Sequence, residues 1–122
     1  MKVRIKGNTL RLRLSRTEVE NFGLQGYLEE STAFGENKLI YSLRRSDREK
    51  LEADFDNNKI TVYVPAKTTI QWVNTDMVGF NNHTSVLNPT ELAILVEKDF
   101  KCMDAAVDED QSDNYENPNQ VC

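Results

Sequence analysis

Five basic side chains, Lys2, Arg4, Lys6, Arg11 and Arg13, recur at alternate positions on either side of Gly7-Asn8. Arginines at that spacing on neighbouring strands can grip a phosphate or a carboxylate through paired N–H donors. Cations packed side by side across a hairpin also repel one another, so an anion among them is stabilising. The pattern therefore fits either a plain solvated sheet face or one of three partners: a phosphorylated metabolite, an acidic protein segment, or the chain's own acidic tail, which otherwise is a solvated, mobile C-terminus. Asp108, Glu109, Asp110 and Asp113 carry the charge for the last of these, and Tyr115, Val107 and Pro118 could add apolar contact. That contact is needed, because a single surface ion pair contributes only about 0 to 1 kcal/mol.

Two other chemistries have weaker sequence support. Glu97, Lys98 and Asp99 follow an apolar run, and a carboxylate beside a lysine can do acid-base work if both are buried. The lone His83 lies in the same half of the chain. Nothing in the spacing brings these groups together, and no nucleophile motif, phosphate loop or dinucleotide fingerprint occurs. A small hydrolase-like enzyme using strand-end and tail carboxylates is thus an alternative, with a solvated strand end paired to Arg44 and Arg45 as its ordinary counterpart. For a metal, Cys102, Cys122, His83 and a carboxylate would have to converge without any short paired spacing to nucleate the site. A calcium loop starting at Asp108 lacks its central glycine and has Asn119 at the twelfth position. No cofactor is expected.

These residues ride on elements that the apolar pattern specifies. Val3 and Ile5 alternate with charges, as do Leu10, Leu12 and Leu14, which predicts two strands joined by the Gly7-Asn8 turn. Ser15 and Glu18 have capping-box spacing, so a two-turn helix follows, with Val19 and Phe22 inward and Gly23 at its C-terminal end. Strands are expected over 27–32 and 38–45. Fifty positions on, the order recurs: Ala53 and Phe55 inward, a turn at Asn57-Asn58, Ile60, Val62 and Val64 inward, then Pro65 at a helix boundary. Phe22 corresponds to Trp72, and Leu39, Tyr41 and Leu43 correspond to Leu92, Ile94 and Val96. A strand is expected from Met77 to about Thr84. The final run, residues 92–96, is apolar throughout and predicts a strand covered on both faces.

The expected fold class is therefore α+β and strand-dominated: two ββαββ pseudo-repeats, about 2–46 and 51–99, forming a sheet pair or a closed barrel with two short helices. Residues 1–100 make a single duplicated domain, and 101–122 an acidic C-terminal tail.

Composition bounds the function. The chain has 122 residues, 39% hydrophobic and 29% charged, which is ordinary for one globular domain. Net charge runs +4 over 1–50, −4 over 51–99 and −5 over 100–122, giving −5 in all. Such a chain is a poor nonspecific nucleic-acid binder, since that affinity comes from many Lys and Arg displacing counterions. The N-terminus alternates charged and apolar residues rather than forming a signal peptide, and no run approaches membrane-spanning length. Together these predict a cytoplasmic protein with free thiols and no nucleic-acid or membrane partner; a homodimer is the assembly left open.

The segments Arg11 to Phe22, Ile94 to Cys102 and Asp108 to Tyr115 carry a resemblance. The chain resembles a family of small bacterial proteins classed as a domain of unknown function, over nearly its full length, with a Val-Glu-Lys-Asp-Phe-x-Cys segment and an acidic Asn-Pro tail. In that family's pattern a proline precedes the late Asn-Pro, where Glu116 stands here before Asn117-Pro118. The resemblance implies a cytosolic bacterial protein and brings no catalytic residue. The function expected is a non-catalytic binding or interaction domain that uses the basic hairpin face and the acidic tail.

Overall fold

The computed structural model describes residues 1–83, 90–101 and 112–116. Along the chain run β1 (Lys2–Lys6), β2 (Thr9–Leu14), α1 (Arg16–Gln25), β3 (Tyr27–Phe34), β4 (Asn37–Ser46), β5 (Glu52–Asp56), β6 (Lys59–Pro65), α2 (Ala66–Asn74), β7 (Gly79–Asn81) and β8 (Ala93–Lys98). They make two four-stranded sheets, ordered β1-β2-β8-β7 and β3-β4-β6-β5. Each sheet takes one hairpin from each half of the chain. Antiparallel hairpins lie on the outside, and the two hairpins of a sheet meet along a parallel pair, β2 with β8 and β4 with β6.

The alternating leucines of β2 do what their period requires: Leu10, Leu12 and Leu14 are buried, as are Ile60, Val62 and Val64 of β6. With Val19, Phe22, Leu43, Trp72, Phe80, Ile94 and Val96 they form one apolar cluster between the sheets and helices. Trp72 sits at its heart, edge-on to Phe22 at 6.4 Å and to Phe80 at 5.2 Å, with its indole N–H donated to the Val78 carbonyl at 3.1 Å. That bond meets the one polar need of an otherwise apolar side chain.

Several expectations are corrected. The strands form two open sheets rather than a closed barrel, because β1, β7, β3 and β5 stay at edges. Helix α1 runs past Gly23 to a C-cap at Gly26, whose φ of +70° is the left-handed geometry that ends a helix. Gly23 serves packing instead: a β-carbon there would lie 2.7 Å from Val73 Cγ1 of α2. Phe55 is 65% exposed, since β5 is an edge strand whose end overhangs the core. Strand β7 is only three residues long, because the Asn82 side chain takes over the ladder, accepting from Ile94 N–H and donating to the Leu92 carbonyl, and His83 then turns the chain at φ +54°. Strand β8 lies inside its sheet but buries one face: Ile94, Val96 and Lys98 are buried, while Ala93, Leu95 and Glu97 are half-buried. Among the described residues, no helix is long and apolar enough to cross a membrane.

Candidate functional site

The antiparallel register of β1 and β2 sets Lys2 beside Arg13 and Arg4 beside Arg11, with Lys6 beside Thr9. All five cations thus share the outer face of one hairpin, opposite the face that buries Leu10, Leu12 and Leu14. Compensation comes from the neighbouring strand. Parallel pairing places Glu97 of β8 beside Arg13, and its Oε1 accepts from Arg11 Nε at 2.6 Å and Arg13 Nε at 2.7 Å. One carboxylate oxygen therefore clamps two guanidiniums, each of which keeps further N–H donors. Lys2 reaches Asp99, just beyond β8, at 2.8 Å. Arg4 and Lys6 are exposed and have no ion pair among the described residues.

The three charges at the end of β8 do not converge on a catalytic centre. Glu97 faces the arginines, Asp99 faces Lys2, and Lys98 points the other way, donating to the Thr75 carbonyl at 2.9 Å. Burial pushes the Lys98 ammonium below its ordinary pKa, against the opposing pull of the Asp76 carboxylate. The pairings of Glu97 and Asp99 are with Arg11, Arg13 and Lys2, and not with the Arg44 and Arg45 expected from sequence.

The model of a family of unknown function, DUF7009, matches residues 1–119. The chain belongs to that family. No curated protein and no solved structure matches it.

In this DUF7009 chain the described part of the tail does fold back, but onto the start of α1 rather than the arginine face. The Asp113 carbonyl accepts from Arg16 N–H at 2.9 Å, and its carboxylate accepts from the Thr17 hydroxyl at 2.8 Å. Hydrogen bonds from Ser15 and Thr17 hold the Asp113 carboxyl below its ordinary value. Tyr115 bridges in parallel to Phe100, with its N–H on the Asp99 carbonyl at 2.8 Å and its ring 5.6 Å from that of Phe100. The Arg16 guanidinium and the Lys98 ammonium lie 5.3 and 5.4 Å from the Tyr115 ring. Sequence reading missed this use of Asp113, because nothing local links position 113 to a helix nearly a hundred residues earlier.

The remaining expected residues scatter or fall outside view. Asp108, Glu109, Asp110, Cys102 and Cys122 lie outside the described residues. His83 is exposed beside β7, its N–H donated to Asn81 Oδ1 at 2.7 Å, on the rim of a cleft that Glu49, Lys50 and Glu91 also line. No group of three metal-ligating side chains gathers among the described residues.

Proposed function

We propose that this chain is a non-catalytic binding domain whose outer β1-β2 face receives an anionic partner. The observation that carries the reading is the charge balance of that face: five cations in register, answered among the described residues by Glu97 and Asp99, with Arg4 and Lys6 left exposed. Glu97 fixes the two arginines as a pair, so less side-chain freedom is lost when they bind a second anion. The tail segment 112–116 docks elsewhere, which leaves it as a brace for α1 in this reading rather than a plug on the arginines.

We also read the two halves as copies of one ββαββ unit. Equating positions fifty apart, Leu12 with Val62 and Leu10 with Ile60, also equates their strand neighbours: Val96 beside Leu12 with Leu43 beside Val62, and Ile94 beside Leu10 with Tyr41 beside Ile60. Exchanging β1, β2, β3, β4 for β5, β6, β7, β8 carries one sheet order onto the other.

Thermal melts with a hexaglutamate peptide and with inorganic tripolyphosphate test the binding reading. Both are expected to raise Tm at low salt and to lose the effect at high salt, and an Arg4→Ala/Lys6→Ala variant should lose most of the shift. A shift the variant retains in full, or none in the wild type, discards the reading.

A further inference from the structure

We propose that the β1 edge of one molecule adds to the β5 edge of a second copy of this chain, joining a sheet of each into one continuous sheet. The proposal deepens the binding reading, on which it rests for the role of the basic hairpin, by naming the anionic partner. Its basis is a charge reversal between two edges. Strand β1 reads Lys-Val-Arg-Ile-Lys and β5 reads Glu-Ala-Asp-Phe-Asp, so Lys2, Arg4 and Lys6 have Glu52, Asp54 and Asp56 as their counterparts. Both strands are five residues long, both lie at the edge of their sheets, and both carry the same exposure pattern.

An exposed edge offers unpaired backbone donors and acceptors to any strand that fits, and side chains decide which one does. Pairing β1 with another β1 would set cations against cations, and β5 with β5 would set carboxylates against carboxylates. An antiparallel β1·β5 contact centred on Arg4 opposite Asp54 instead sets Lys2 against Asp56 and Lys6 against Glu52, three opposite-charge pairs on one face. The other face then sets Val3 against Phe55 and Ile5 against Ala53. That covers Ile5 and Phe55, which are 62% and 65% exposed in the single molecule. Arg4, Lys6 and Asp56 have no ion pair among the described residues, and the Arg48 contacts to Glu52 and Asp54, at 4.0 and 3.4 Å, are long and exposed. The remaining edges suit the role less well: β7 has three residues, and on β3 Glu29 already pairs with Lys59 and Glu30 with the Met1 amino group. Because the two surfaces differ, the contact is heterologous and builds chains or rings. Its small area makes it weak and salt-sensitive.

Sedimentation velocity of the full chain, from low micromolar to millimolar and at low and high salt, tests the contact. Wild type should self-associate at low salt. Arg4→Glu and Asp54→Lys should each weaken association by about tenfold, with unchanged circular dichroism since both side chains are exposed. The double variant R4E/D54K restores opposite charge at the same pair, as does an equimolar mixture of the two single variants, and both should recover association. A wild type that stays monomeric throughout, or a double variant no better than the singles, overturns the proposal. If the monomeric chain still binds hexaglutamate, only the self-association fails. If the chain assembles with charge-swap rescue but takes up no peptide, the contact between copies stands and capture of free anions by the outer face is what fails.

Discussion

Helix α1 begins with its early N–H groups provided for, whereas α2 begins behind Pro65 with no side-chain cap. At α1 the Ser15 hydroxyl accepts from Glu18 N–H, the Glu18 carboxylate accepts from Ser15 N–H at 2.9 Å, and Asp113 takes the N–H groups of Arg16 and Thr17. At α2 the anchoring lies in the middle of the helix, where Trp72 is fully buried between Phe22 and Phe80. Two short helices, each following a hairpin, are thus secured by different physics. One depends on polar contacts at its end, and the other on burial of a large ring.

Trp72→Ala presses hardest on that difference. Removing a fully buried aromatic costs about 3–5 kcal/mol, and the Val78 carbonyl would lose its indole donor as well. Ser15→Ala, which removes the cap of α1, should cost about 1 kcal/mol. Urea denaturation of both variants measures the gap, and equal costs would show that the two helices are not held in different ways.

A finer probe separates the helix ends by local exchange. In Ser15→Ala and Asp113→Ala, hydrogen-deuterium exchange should speed at residues 16–19 while the amides of α2 keep their wild-type rates. Equal loosening of both helices would mean that the caps act only through global stability.

The parts that were legible in the sequence are those whose cause is local. The period-two leucines fixed the buried face of β2, and the Ser15-Glu18 spacing marked the start of α1. What escaped depends on distant partners. The parallel pairs β2·β8 and β4·β6 join strands that are not consecutive in the chain, the first pair from its opposite ends, and no neighbour of Leu12 announces Val96. Gly23 looked like a helix end, yet its lack of a side chain is used for the approach of Val73, a contact visible only once α2 is placed. At the candidate site, the shared face of Lys2, Arg4, Lys6, Arg11 and Arg13 could be read from alternation alone. The clamp on two of them could not, because Glu97 reaches Arg11 and Arg13 only through the parallel register.

Acid provides the smallest and most selective test, because α1 carries a carboxylate in its first turn and α2 carries none. Burial alone would raise the Glu18 pKa, but hydrogen bonds from the Met1 amino group and Ser15 N–H outweigh it and hold the carboxyl below its ordinary value of 4.5. A carboxyl whose folded pKa is depressed contributes stability that is present above the unfolded value and lost as pH falls through the folded one. Glu30 opposes this in part, since burial and the adjacent Glu18 push its own pKa up despite the pull of the Met1 amino group. Lowering the pH from neutral through the carboxylate range should therefore loosen the first turn of α1 ahead of α2. In Glu18→Gln, which no longer titrates, that pH dependence should flatten. Exchange rates measured along the same pH series, corrected for the intrinsic rate, carry the decision: an acid response of α1 that survives Glu18→Gln would move the cause from the capping box to Asp113, whose carboxyl is likewise held low.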